Sequence, residues 1–255
     1  MDKQKCTGAP RRAIVVGASS GIGHEVAKLL LAKGYMIGVA ARREQPLLML
    51  KSLAPCMVKT AVIDVTADNA AACMRQLVDA LGGMDLFFYA SGIGRQNMML
   101  EAETELATVR TNALGFCRMV GEAYRIMART GHGHIAVISS IAGTKGLGAA
   151  PSYSATKAMQ NVYVQALAQQ SRMRGLDISF TDIRPGFVDT PLLASGFQSY
   201  PMMLDPKRVA QTIVQAIEKK RRVVVIDWRW RVVTFFWHAL PSWLWERLKI
   251  QTSGK

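Results

Sequence analysis

The sequence predicts an α/β chain folded as one doubly wound parallel sheet, and three observations carry that expectation. Short apolar runs rich in β-branched residues alternate with stretches of helical periodicity, a glycine-rich turn joins the first run to the first helix, and no Pro-, Gly- or Ser-rich linker divides the chain. A strand buried on both faces reads as a continuous apolar run, and strands alternating with helices build a parallel sheet covered on both sides. The 255 residues are 50% hydrophobic, enough for one large core.

Each element follows in order. "AIVV" reads as the first buried strand, and "HEVAKLLLAKG" as a helix ended by glycine. "YMIGVAARR" and "VKTAVIDV" are the second and third strands. "AACMRQLVDALGG" is a helix, and "MDLFFYASG" the fourth strand. "TELATVRTNALGFCRMVGEAYRIMART" is one long helical pattern. "GHIAVISSIAG" is the fifth strand, "PSYSATKAMQNVYVQALAQQSRMRG" a long helix and "LDISFTDIRPG" the sixth strand. Beyond Pro185 the pattern changes: "DTPLLASGFQSYPMML" reads as a mobile segment whose Met and aromatic content suits an apolar lid near residues 190–204. Asp205 and Pro206 then read as N-cap and first residue of a helix, and "VVVID" as a last strand. The expected organisation is a flexible basic N-terminus over residues 1–11, the sheet domain over 12–226, and a basic aromatic extension over 227–255.

The placement of charge excludes some function classes. Of the net +14, residues 1–12 contribute +3 and residues 219–255 contribute +7, so the body of the chain is only mildly basic. A nucleic-acid enzyme more often carries its basic residues along a groove through the fold, so no nucleic-acid partner is expected. Cys6, Cys56, Cys73 and Cys117 are scattered without CxxC spacing, so neither a metal site nor a redox motif is expected. With no apolar leader in "MDKQKCTGAPRR", a cytoplasmic chain is the expectation.

The glycine turn runs Gly17, Ala18, Ser19, Ser20, Gly21, Ile22, Gly23. Between a strand and a helix, backbone N–H groups and a helix N-terminus can meet a pyrophosphate, and glycine lets the backbone approach it. A tight strand-to-helix turn alone also wants glycine. At the end of the second strand, where an acid usually takes the adenosine ribose hydroxyls, the sequence has Ala41, Arg42 and Arg43. Paired guanidinium groups suit a 2′-phosphate, so NADP is favoured over NAD; the bland reading is two solvated arginines.

Tyr153 and Lys157 stand four apart and share one helix face. A free phenol has a pKa of about 10, leaving roughly one part in a thousand ionised at neutral pH. A neighbouring ammonium favours the phenolate and lowers that pKa, and a cationic oxidised nicotinamide helps further. Ser140 lies at a strand end, able to hydrogen-bond the same substrate oxygen. Asn112 interrupts a long helix, where an amide has poor propensity. Each alone has a plain structural reading: a chance Tyr–Lys pair, a capping hydroxyl, a helix kink.

Taken in this order, with Asp64 after the third strand and "RPGFVDT" after the sixth, these residues resemble the classical short-chain dehydrogenase/reductase family over about residues 12 to 226. The resemblance implies a single-domain Rossmann fold and a reversible hydride transfer between a nicotinamide and a carbonyl or secondary alcohol. It implies Tyr153 as acid/base, Lys157 lowering its pKa and holding the nicotinamide ribose, Ser140 orienting the substrate oxygen, and Asn112 holding a relay water. The implied coenzyme surface comprises Gly17, Ser19, Ser20, Gly21, Ile22 and Gly23, then Arg42 and Arg43, Asp64 and Val65, and Ala90, Ser91 and Gly92. Pro185, Gly186, Val188 and Thr190 complete it, with Tyr153 and Lys157 shared. The family's usual Asn-Ala-Gly after the fourth strand is Ala90-Ser91-Gly92 here, which implies a changed local hydrogen bond. The helices at about 104–130 and 152–174 are those through which the family pairs, implying a homodimer or homotetramer. The alternative class is a non-catalytic NADP sensor or a membrane-associated scaffold.

All five tryptophans, Trp228, Trp230, Trp237, Trp243 and Trp245, lie in the basic extension. Its uncharged run from Val232 to Trp245 would reach about 21 Å as a helix, short of a hydrocarbon core of about 30 Å, and Pro241 interrupts it. Tryptophan beside arginine suits a bilayer interface, so a peripheral membrane contact is one expectation; packing on the chain's own domain or on a sister subunit is the other. Together with the apolar lid, the extension makes a bulky hydrophobic ketone or aldehyde the expected substrate class.

Overall fold

Seven parallel strands form one sheet, and the computed structural model describes residues 10–192 and 200–250. The strands are β1 (Arg12–Val16), β2 (Met36–Ala41), β3 (Val58–Val62), β4 (Leu86–Tyr89), β5 (His132–Ile138), β6 (Asp177–Arg184) and β7 (Val223–Val225), in spatial order β3-β2-β1-β4-β5-β6-β7. The helices are α1 (Gly21–Ala32), α2 (Glu44–Leu53), α3 (Ala70–Leu81), α4 (Ala102–Val109), α5 (Phe116–Thr130), α6 (Pro151–Met173), α7 (Pro206–Glu218), α8 (Trp228–Ala239) and α9 (Ser242–Trp245).

Alternation along each strand explains the layers. Ala13, Val15, Leu86 and Phe88 face one side, where α1, α2 and α7 supply Leu30, Leu47 and Ile213. Ile14, Val16, Phe87 and Tyr89 face the other, where α3, α5 and α6 supply Met74, Met119 and Val164. Both faces are apolar, which is why the strands read as unbroken apolar runs. The strand order reverses between β1 and β4, so the crevice for a ligand opens beyond their carboxyl ends.

Two elements differ from the expected ones. The sequence pattern shows no helix between the second and third strands, yet α2 occupies it. Pro46 sits in its first turn, where no intrahelical donor is lost. Only Leu47 and Leu50 of α2 are buried, so its periodicity is thin. The expected single long helix over 104–130 is instead α4 and α5 joined through a π-helical turn, Arg110–Gly115, which contains Asn112. The kink read from that asparagine is therefore present as a π-turn.

The helix that starts at Asp205-Pro206 and the last strand form as read from the sequence. Asp205 caps α7, its carboxylate accepting from Arg208 N–H at 3.0 Å. Residues 193–199 of the expected lid lie outside the described residues, as do 1–9 of the N-terminal stretch. The described end of the lid is tied down, with Leu204 N–H donating to the Phe187 carbonyl at 2.9 Å. In the extension, Pro241 separates α8 from α9. No helix among the described residues is long and apolar enough to cross a membrane.

That extension docks on its own domain. Trp245 is buried and its indole N–H donates to the Gly146 carbonyl at 2.7 Å. Lys145 donates to the Leu240 carbonyl at 2.9 Å, and Trp237 meets Trp245 edge-on at 5.2 Å. Asp227, at φ 73°, caps α8 by accepting from Arg229 N–H at 2.9 Å.

Candidate active site

A cleft of about 1010 Å³ opens at the carboxyl ends of the strands. At its base lies the glycine turn. Gly17 has φ 90° and its N–H donates to the Ala40 carbonyl at 2.8 Å, locking the turn onto β2. A Cβ on Gly23 would stand 2.2 Å from the Gly17 carbonyl oxygen, so only glycine lets α1 start so close beneath the turn. Ser19, Ser20, Gly21 and Ile22 line the same wall.

The end of β2 supplies the charge. Arg43 Nη2 donates to Ser20 Oγ at 2.9 Å and Ser19 Oγ at 3.1 Å, laying its guanidinium along the turn. Arg42 is exposed and near enough to Asp64 to favour its ionised form. The Asp64 carboxyl sits below its ordinary value, chiefly because Thr66 N–H donates to it at 2.9 Å. Val65 adjoins it in the cleft wall.

Opposite, the loop after β4 brings in Ala90, Ser91 and Gly92. Asn112 clamps this loop from behind. Its Oδ1 accepts from Ile93 N–H at 2.9 Å, and its Nδ2 donates to the Ile93 carbonyl at 2.7 Å. The loop has Ala90-Ser91-Gly92 in place of the family's usual asparagine motif, and this two-way clamp is one support of it. Asn112 is wholly buried and does not line the cleft. Its backbone carbonyl accepts from Gln160 Nε2 at 2.7 Å.

Ser140 ends the stretch after β5 and caps a 3₁₀ turn, its Oγ accepting from Ala142 N–H at 3.1 Å. The same hydroxyl lies close enough to the Tyr153 phenol to favour its ionised form. Lys157 Nζ lies 5.7 Å from the Tyr153 ring centre and donates to the Ile138 carbonyl and Gln160 Oε1, each at 3.1 Å. Ser140, Tyr153 and Lys157 thus meet as the spacing predicts.

One expectation is corrected here. The neighbouring ammonium does not by itself make the phenol acidic: burial raises the Tyr153 pKa above 10.0, and Ser140 only partly opposes this. Lys157 is pushed down to about 8 by the same burial, with Asp182 opposing. In so enclosed a place, desolvation disfavours the charged form of both groups.

The far wall comes from β6 onwards. Pro185, Gly186, Val188 and Thr190 line it as expected, with Thr190 against Gly21. A Cβ on Gly186 would stand 2.2 Å from Trp230 Nε1, so this glycine seats a tryptophan of the extension. Phe187 meets Trp230 edge-on at 5.7 Å and stacks on Tyr200 at 4.6 Å. Val233 and Trp237 continue the apolar wall. Sequence reasoning placed Tyr200 in the apolar lid but named none of Phe187, Trp230, Val233 and Trp237 as site residues. The signal was there in part, since Trp230, Val233 and Trp237 fall at i, i+3 and i+7 and so share one helix face. Gln160, three residues beyond Lys157 on the same helix, was also missed.

Comparisons with known proteins fit this geometry. The sequence profile of the family described as short chain dehydrogenase matches residues 11–200, so the chain belongs to that family and is an oxidoreductase. An uncharacterized oxidoreductase of Myxococcus xanthus is 29% identical over 242 residues, covering 92% of this chain and 95% of that protein. The glycine betaine reductase ATRR of Emericella nidulans is 31% identical over 229 residues, 84% of this chain but only 18% of its own length. Among solved structures, an actinorhodin polyketide ketoreductase with NADPH superposes with a TM-score of 0.75 at 25% identity, covering 85% of this chain and 95% of that one. An alcohol dehydrogenase of Thermococcus sibiricus, complexed with 5-hydroxy-NADP, has the same fold at a TM-score of 0.75 and 23% identity, covering 86% and 96%.

The glycine turn yields a direct expectation. Gly23→Ala forces α1 away from Gly17, so NADPH affinity measured by nucleotide fluorescence should fall at least about tenfold while circular dichroism stays native. Unchanged affinity would show that the turn does not cradle the coenzyme.

Proposed function

We propose that this oxidoreductase is an NADP(H)-dependent reductase of bulky apolar ketones or aldehydes, and the observation that carries this is the shape and charge of one cleft. Its coenzyme end fits the group: the Gly17–Gly23 contact leaves a cradle that a Cβ would fill, and β2 ends in Arg42 and Arg43 with no acid. Forked guanidinium donors favour a 2′-phosphate over free ribose hydroxyls. NADPH in a related ketoreductase structure points the same way. Its substrate end is walled by Phe187, Trp230, Val233 and Trp237, which suits an apolar body around a carbonyl.

When bound, the reduced nicotinamide supplies hydride. The chain supplies the proton and the geometry. Tyr153 Oη donates its proton to the carbonyl oxygen, Ser140 Oγ hydrogen-bonds that oxygen, and Lys157 stabilises the phenolate left behind. A phenol is already protonated at neutral pH and burial raises its pKa further, which suits a general acid and hence reduction. Asn112 holds the β4 loop against the nicotinamide side. The chain pairs through the α4–α5 stretch and α6, as its family resemblance implies.

The extension also supports a peripheral membrane contact. Trp228, Phe235, Phe236 and Trp243 are exposed, with Arg229 and Arg231 between them and Arg247 stacked 5.4 Å from the Trp243 ring. Aromatic and cationic side chains together suit an anionic interface.

Two measurements test these readings. Tyr153→Phe should slow NADPH-dependent reduction of an aromatic or long-chain ketone by about 10³-fold, within the range general acids contribute, and leave NADPH affinity within about twofold. An unaffected rate would remove Tyr153 from the chemistry. For the surface, the triple change Phe235→Ser, Phe236→Ser, Trp243→Ser spares the buried Trp230 and Trp245. It should lose most co-sedimentation with vesicles containing phosphatidylserine, whereas equal pelleting would refute the membrane contact.

A further inference from the structure

Lys157 is held from a side that the reaction does not use. Gln160 is wholly buried, one turn further along α6. Both ends of its amide are engaged: Nε2 donates to the Asn112 carbonyl at 2.7 Å, and Oε1 accepts from Lys157 Nζ at 3.1 Å. The orientation is fixed by chemistry. A carbonyl can only accept and an ammonium can only donate, so the amide cannot turn over without losing both bonds. The Asn112 carbonyl is available because it sits in the π-turn, where the regular helical hydrogen-bond ladder is interrupted.

We propose that Gln160 is a positioning residue which keeps the charged form of Lys157 in place beside Tyr153, bridging the ammonium to the Asn112 carbonyl with an amide that holds a proton donor but cannot pass a proton on. This rests on the reading of Lys157 as the cation that serves Tyr153. The ammonium has three donors. Ile138 and Gln160 take two, leaving one for the Tyr153 side of the cleft. Without Gln160, a second donor would be buried and unmet, which disfavours the charged form. Among the described residues, the titratable groups facing Lys157 are Tyr153 on α6 and Asp182 on β6, the latter paired with Arg184 at 2.7 Å. The π-turn, the β4 loop and the end of β5 present Asn112, Gly92, Ser140 and the Ile138 carbonyl, all uncharged.

The test compares Gln160→Leu and Gln160→Glu with the native chain. In coenzyme-free protein with ¹³C-labelled lysine, the Lys157 Cε signal is assigned by its absence in Lys157→Met and titrated by NMR. Gln160→Leu should move the midpoint down by about one pH unit, and Gln160→Glu, which sets a carboxylate beside the ammonium, should move it up by about one. A residue that merely fills space would not move it in opposite directions. Equal midpoints in all three proteins would overturn the proposal, and because the two shifts are opposite, either variant suffices if the other does not fold. The pH dependence of kcat/KM for NADPH is then measured on the same proteins. Midpoints that separate while the kinetic profiles coincide would leave Gln160 as the holder of Lys157 and remove Lys157 from the reaction.

Discussion

The burial of one ammonium constrains the rest of the site. Lys157 is 5% exposed, and an isolated cation so placed would lose its proton. It keeps charge because the Ile138 carbonyl, Gln160 Oε1 and the field of Asp182 all favour the protonated form. The balance remains unfavourable, since the pKa falls from 10.5 to about 8. Below about pH 8 the fold carries the full cost of that buried charge, and the cost fades as the pH rises towards 10.5. A protein tolerates such a group where its chemistry is used. The elements around it hold it fast: β5 offers a carbonyl, the π-turn frees another, and α6 sets Tyr153, Lys157 and Gln160 on one face.

The C-terminal extension depends on the same architecture from the opposite wall. Gly186 follows β6 and lacks a Cβ where Trp230 needs the space. The helix that carries Trp230 also carries Trp237, whose ring abuts Trp245, and Trp245 is pinned to Gly146 in the segment between Ser140 and Tyr153. This wall of the cleft is therefore closed by residues from three distant parts of the chain. Its apolar character follows from that assembly, and the exposed Phe235 and Trp228 lie on the same short helix as the buried Trp230.

Much of this was legible in the sequence because it is local. The alternation of apolar runs and helices gives the sheet, and the Gly17–Gly23 spacing, the four-residue step from Tyr153 to Lys157 and the Asp205-Pro206 start each report a short-range geometry. Helix α2 was not legible because only two of its apolar residues face the core and a proline sits in its first turn. The π-turn showed itself as a single awkward asparagine in a helical pattern. What Asn112 does there, clamping Ile93 and giving its carbonyl to Gln160, needs the approach of segments 19 and 48 residues away. The direction of the Tyr153 shift was misread for the same reason. Spacing shows that a cation is near, but only the enclosed surroundings show that desolvation outweighs it. The contacts of Trp245 and Lys145 pack one face of the extension on its own domain, and leave its exposed aromatic face open to the second reading.

The most direct test of the buried ammonium is the pH dependence of kcat/KM for NADPH in carbonyl reduction by the native chain, which reports ionisations of the free enzyme. The rate constant should be level up to about pH 8, where Lys157 loses its proton, and then fall by about tenfold per unit. A profile that stays level to pH 10 would contradict the account.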